Sequence, residues 1–398
     1  MASRFLFTSY CLLIIPLAAL GFHQQCVTKQ YRYHYHDCHL ANSAASLSSS
    51  SKDAEIESIS TRTRTRSEEG ASIRPTTVVE QCYKAWNQRD MEKAASYFSK
   101  DFSYDDGQYL GSITQNKSKL QRRFQVVADA LPPKSVMVVD DIAVCQTSGN
   151  IGTRWHVERA EDGSSVPLTR GCSFYTVDQG SGLIQTGFKV SEMVVKPSKR
   201  VSNGLVSSAS RFMESSNKGI DMVAAVSSSQ GIGIGIGRPS TTASIQDDDD
   251  DSSSPSSSSS VIEGYFQAWN DRNMEGALDY FIEDCVYEVE DPVFVDKFCG
   301  KEALREHLVK NAGVLPSACQ IILDDLAVDR SNGKFGVKWH LEVSGFAIPN
   351  LRGCSMYTMD CELGLLKSGF DITEAPVKVP DLAQGFVSSL VSKIGLFQ

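Results

Sequence analysis

The chain has 398 residues and writes one long block twice. "VVEQCYKAWNQRDMEKAASYFSKDFSYD" (78–105) matches "VIEGYFQAWNDRNMEGALDYFIEDCVYE" (261–288) without a gap. "VDDIAV" (139–144) then matches "LDDLAV" (323–328), and "GNIGTRWHVE" (149–158) matches "GKFGVKWHLE" (333–342). "PLTRGCSFYT" (167–176) matches "PNLRGCSMYT" (349–358), and "GLVSSASRF" (204–212) resembles "GFVSSLVSK" (385–393). Self-similarity on this scale means two copies of one structural unit. Two homologous domains are expected over 76–212 and 260–398.

Between them, 213–259 contains "GIGIGIG", the run Asp247–Asp251 and "SSSPSSSSS". It has no apolar face to bury and reads as a disordered linker. The Asp run lacks the spacing and glycine turn of a calcium loop. The chain's formal charge is −9, of which this run supplies five. No basic surface for phosphate is evident, which argues against nucleic acid as the partner. Eleven cysteines form no CxxC pair, so a zinc ribbon or a thioredoxin-type site is not expected. His34, His36, Cys38 and His39 cluster in "YRYHYHDCHL". They offer either a metal site or a His-rich leader, and no second ligand cluster supports the former. No metal or other cofactor is expected.

The N-terminus reads as an address. One positive charge precedes the apolar run Phe5–Leu20, which is too short for a stable membrane span, and Ala19-Leu20-Gly21 closes it. Residues 1–21 are expected to be a signal peptide. From Phe22 to Ser51 the only acid is Asp37, amid Ser, His, Tyr and basic residues. This resembles the two-part plastid presequence of diatoms and related algae, with a Phe at the cleavage point. Residues 22–75 are then a transit peptide or disordered, and the chain is sent to the plastid (chloroplast); secretion is the alternative.

Within each repeat, helical spacing comes first. Val261, Tyr265, Ala268 and Trp269 mark one helix; Met274, Ala277, Leu278 and Phe281 a second; Ala303, Leu304, His307 and Leu308 a third. The period then changes to two. In "KFGVKWHLEV" Phe335, Val337, Trp339 and Leu341 share a face, with Lys338, His340 and Glu342 opposite. "RGCSMYTMD" and "LLKSGFDIT" follow as strands. The expected class is α+β: in each domain about three N-terminal helices packed on a curved antiparallel sheet.

The pattern "YFQAWN…M…ALDYF…D…VYEVEDPV", then "WHLE", then "P…RGCSMY", resembles SnoaL-like domains of the nuclear transport factor 2-like superfamily. The resemblance covers both repeats. It implies a cone: a curved sheet closed by helices around an apolar pocket, with the outer sheet face commonly a dimer contact. Members include ketosteroid isomerases, polyketide cyclases and scaffolds, so the resemblance does not fix a function.

Alternation sends Trp155 and Trp339 into the cone and His156, Glu158, His340 and Glu342 to the outer face. There the two repeats are expected to pack as an intramolecular pseudo-dimer, with Arg154 and Lys338 pairing to the His-Glu residues. A catalytic His-Glu pair is the alternative. Trp269, Trp339, Phe281, Tyr287 and Tyr265 are expected to line the second pocket; Trp86, Trp155, Phe98, Tyr104 and Cys82 hold the matching places in the first. The resemblance to ketosteroid isomerases offers Tyr265 as hydrogen-bond donor and Asp291, in "VEDPV", as general base. Asp291 needs two extra residues to reach that place, whereas Asp106 falls there without a gap. The family's second acid falls near Cys354, and Tyr265's counterpart in the first repeat is Cys82. Each set is therefore incomplete. Arg170 and Arg352 are expected in cross-strand ion pairs or at a pocket mouth. Cys172 and Cys354 are expected to be buried free thiols.

Three functions compete. The favoured one is binding of an apolar small molecule or a plastid protein, without full catalytic machinery. The second is a proton-transfer isomerase or cyclase. The third, carbonic anhydrase activity, lacks its His-His-Ser-Ser-like run in "LLKSGFDIT".

Overall fold

The computed structural model describes residues 75–192, 259–290, 295–375 and 378. The presequence, the His-rich cluster, the Asp-rich linker, Asp291 and the matching C-terminal ends of the repeats lie outside the described residues.

The first repeat runs α1 (Pro75–Asn87), α2 (Met91–Ser96), β1 (Phe98–Asp106), β2 (Ile113–Thr114), α3 (Lys117–Ala130), β3 (Ser135–Val144), β4 (Asn150–Arg159), β5 (Gly171–Asp178) and β6 (Leu183–Ser191). The second runs in the same order: α4 (Ser259–Asn270), α5 (Met274–Leu278), β7 (Phe281–Glu290), β8 (Val295–Cys299), α6 (Lys301–Val314), β9 (Cys319–Asp329), β10 (Lys334–Val343), β11 (Phe346–Asp360) and β12 (Leu365–Thr373). Among the described residues no helix is long and apolar enough to cross a membrane.

The repeated "AWNxRxM" stretch is a helix-to-helix corner. The amide of Asn87 bridges Met137, donating to its carbonyl at 2.9 Å and accepting from its N–H at 2.7 Å. Asn270 does the same to Ile321, at 2.9 and 2.7 Å. Arg89 and Arg272 take positive φ angles of 60° and 59°, which turn the chain, and their guanidinium groups cover Trp86 and Trp269. Asp90 and Asn273 then cap α2 and α5 by accepting from Lys93 N and Gly276 N. Each of these residue types is set by a backbone group that the corner leaves unpaired.

Three expectations need correction. Phe281 opens β7 rather than closing a helix: α5 ends at Leu278, and the burial period becomes two from Phe281 onward. The strands do not all follow the helices, because β1, β2, β7 and β8 precede the third helix of each repeat. Nor is the sheet wholly antiparallel. The strand orders are β2-β1-β6-β5-β4-β3 and β8-β7-β12-β11-β10-β9, with β1 parallel to β6 and β7 parallel to β12. A parallel neighbour needs a long crossover, and here most of the domain forms it.

The inner face of each sheet and its helices enclose one apolar core. Trp155 and Trp339 belong to these cores, as alternation requires. Each ring lies over the glycine opposite it, Gly171 or Gly353, where an added Cβ would come within 2.2 or 2.1 Å. Each indole N–H donates to Ser173 or Ser355, at 2.9 and 2.8 Å. The "WHxE" and "RGCS" motifs recur together because they are the two halves of this contact.

A third core lies between the sheets. Ala143, Cys172, Phe174, Phe188 and Val190 of the first outer face meet Ala327, Cys354, Met356, Phe370 and Ile372 of the second. The two backbones come closest at Gly152 and Gly336, where a Cβ on either would sit 2.5 Å from the other's Cα. Ion pairs ring this apolar centre. Arg170 reaches its own Glu192 and also Glu288 and Glu290 of the other repeat; Arg352 reaches its own Glu374 and Asp105 of the other. Arg154 pairs with Glu288 at 2.8 Å and lies over Phe370. The repeats thus pack through their outer faces, but His156 and His340 bind their own strands. His156 meets Asp140 at 2.7 Å and Glu158 at 2.8 Å; His340 meets Asp324 and Glu342 at 2.7 and 3.1 Å. The expected pairing of Arg154 and Lys338 with these residues is not made, because Arg154 crosses to the other repeat and Lys338 faces Asp325 at 3.6 Å.

Candidate functional site

The polar groups inside the second cone gather around the last strand. Gly369 on β12 faces the rings of Tyr287 and Tyr357, which leaves the next inward side chain, Asp371, level with their hydroxyls. Tyr357 donates to Asp371 at 2.8 Å, and Tyr287 donates to its other oxygen. Tyr265 on α4 approaches Tyr287 with 3.2 Å between hydroxyl oxygens. Ser355 also bonds to Asp371, while its own oxygen accepts from Trp339. The result is one network: indole, hydroxyl, carboxyl and three phenols. On the helix side His307 of α6 stacks on Phe298, 4.3 Å between ring centres, and lies 6.3 Å from the Tyr287 ring.

Burial sets the electrostatics. It raises the Asp371 carboxyl above its usual range, against the pull of its hydrogen-bond donors. Desolvation likewise raises the phenols of Tyr265, Tyr287 and Tyr357, and the Asp371 charge adds to it. Burial pushes His307 down to about 4. A carboxyl that takes up a proton readily, beside phenols that keep theirs, can exchange a proton and hold an oxygen.

The first cone puts basic side chains in the same places. Lys189 occupies the position of Asp371, and Arg123 that of His307. The Lys189 ammonium lies 3.9 Å from the Asp106 carboxylate and 5.1 Å from the centre of the Trp155 ring. Burial lowers its pKa, opposed by the Asp106 charge. Tyr83, absent from the sequence-based candidates, bonds to Thr153 and Tyr175 at 3.0 and 3.1 Å.

Of the sequence candidates, Trp269, Trp339, Phe281, Tyr287 and Tyr265 converge in one buried cluster, as do Trp86, Trp155, Phe98 and Tyr104. Cys82 is buried there too, its thiol raised to about 12 by desolvation. Asp106 points into the first cone, but its structural counterpart is Val289, because Tyr104 and Tyr287 face the equivalent glycines Gly187 and Gly369. Asp371, Tyr357, Ser355 and His307 were not among the candidates. Their signal was present: "LIQTGFKVS" against "LLKSGFDIT" exchanges Lys189 for Asp371 at an inward position. Among the described residues no group of three or more His, Cys, Asp or Glu is placed to hold a metal ion.

Residues 79–184 match the SnoaL-like domain family. No curated protein matches the chain. Similar solved structures include a protein of unknown function with a cystatin-like fold from Methylobium petroleophilum PM1, 17% identical over 30% of this chain and 77% of that one, TM-score 0.26. An NTF2-like protein of unknown function from Cytophaga hutchinsonii ATCC 33406 is 12% identical over 30% and 90%, TM-score 0.23. The epoxide hydrolase/cyclase-like enzyme SalBIII of salinomycin pyran-ring formation is 20% identical over 29% and 89%, TM-score 0.24. The family match thus falls on the first repeat, and the second repeat is built from the same elements in the same order.

Proposed function

We propose that the second repeat binds an apolar small molecule bearing a carbonyl or phenolic oxygen, and that Asp371 exchanges a proton with it while Tyr287 and Tyr357 hold the oxygen. One observation carries this reading. A carboxyl sits among three phenols in an otherwise apolar interior, at a place where the fold equally accepts a lysine. A polar group so placed costs stability and is not needed for the cone to close. The test is a titration of the full chain with 2-naphthol, a fluorescent aromatic alcohol that imitates an enol. Binding is expected, weakened roughly tenfold by Asp371→Asn or Tyr287→Phe, the equivalent of one hydrogen bond to a charged group. Lys189→Met should leave it unchanged. No binding, or equal losses from all three variants, overturns the reading.

A second reading, binding without turnover, draws on the two phenols that already satisfy Asp371. Incubating a bound ketone with the protein in D2O separates the two. Deuterium entering beside the carbonyl, and lost in Asp371→Asn, supports proton transfer; bound but unexchanged ketone supports the carrier. The acid-poor leader supports a plastid location for either role. A fusion of residues 1–75 to a fluorescent protein should enter diatom plastids, and label in the medium or vacuole would refute this.

A further inference from the structure

We propose that Cys172 and Cys354 join in a disulfide that locks the two repeats together. They occupy equivalent positions on β5 and β11, and each is wholly buried in the core between the sheets. Their sulfur atoms face each other at 2.6 Å. Two thiols so placed need only a small shift to reach the roughly 2.0 Å of a disulfide bond. The other eight members of that core are apolar, and none offers either sulfur a polar partner. The remaining buried cysteines, such as Cys82, Cys285 and Cys319, fall within one repeat's own core and have no counterpart across the interface.

The chemistry is thiol–disulfide exchange with a disulfide-bearing reagent such as oxidised glutathione. The Cys172 thiolate attacks one sulfur of the reagent and expels the other as a thiolate. Cys354, as thiolate, then attacks the mixed disulfide at the Cys172 sulfur and expels the second. The protein loses two protons and two electrons, and the reagent gains them as two thiols. Desolvation raises the Cys172 thiol far above its ordinary value in the docked state, and Cys354 beside it raises it further. Exchange therefore belongs to the stage before the outer faces close. After closure the bond lies where neither oxidant nor reductant reaches it.

The full chain should be refolded in a mixed glutathione buffer, alkylated with N-ethylmaleimide in denaturant, and digested without reductant. The expected product is a Cys172–Cys354 cross-linked peptide, two hydrogens lighter than the sum of its parts and dominant over either alkylated peptide. Cys172→Ser should abolish it and return Cys354 as the alkylated form. With a protease site inserted within 213–259, the cut chain should run as one species on a non-reducing gel and two after reduction in denaturant. Recovery of both cysteines singly alkylated, or of Cys172 bonded to another cysteine, overturns the proposal.

Discussion

Gly353 has no room for a methyl group. The Trp339 ring covers it, the indole N–H is tied to Ser355, and the same trio recurs at Gly171, Trp155 and Ser173. Gly353→Ala must push the ring off its serine, and should cost roughly 1–3 kcal/mol in chemical denaturation, as overpacking in a closed core does. Because Ser355 also bonds Asp371, the variant should weaken naphthol binding as well. His307 gives a pH signature. Its folded pKa, about 4, lies below its ordinary 6.5, so the unfolded chain takes up the proton first. Its contribution to stability is present above pH 6.5 and is lost as pH falls from there toward 4. A His307→Phe variant should show a flatter melting-temperature profile across that window; an unchanged slope would mean that His307 is not buried neutral.

The last strand of each repeat decides what each cone can do. β6 and β12 share length, register and neighbours, yet one carries Lys189 and the other Asp371 inward. Asp371 has a raised folded pKa, so the fold binds its proton more tightly than the unfolded chain. Stability then falls as pH rises from the ordinary value of 3.8 through the folded value. Asp371→Asn removes that loss. It should raise the melting temperature near neutral pH by roughly 2–4 °C, about 1 kcal/mol for a domain of this size, and change nothing well below pH 3.8. The same variant should bind the probe more weakly, a trade of function for stability. A variant that melts lower at neutral pH would show that the hydrogen bonds outweigh the burial cost.

At the scale of the molecule, the interface brings two backbones and several ion pairs together at once. Gly336→Val should keep each cone folded but hold the sheets apart, since a side chain there meets the Gly152 backbone. Halves expressed separately without 213–259 should associate in analytical ultracentrifugation, and the Gly336→Val half should not. The Arg352–Asp105 pair, 2.5 Å apart, should show a coupling of roughly 0.5–3 kcal/mol in a double-mutant cycle of that association. Burial raises Asp105, but the Arg352 hydrogen bond and charge outweigh it and leave its pKa below the ordinary 3.8. Its stabilising share is therefore present above pH 3.8 and fades as pH falls through the lowered value, so docking should loosen in strong acid.

The sequence alone carries the duplication, the α+β class, the inward tryptophans and the outward histidines. Each follows from a local signal: a repeated string, or a period of 3.6 or 2. It could not say that β7 runs parallel to β12, because alternation fixes a strand's faces and not its neighbours. For the same reason it led to Asp291, a residue near Tyr287 in sequence, and passed over Asp371, which lies 84 positions along the chain from Tyr287 and reaches it only when the sheet closes. The outer face also looked polar along "KWHLE", while its apolar centre comes from β5, β6, β11 and β12. Which side chains share a buried volume is decided by strand order and register, and those are set by the packing of the whole cone.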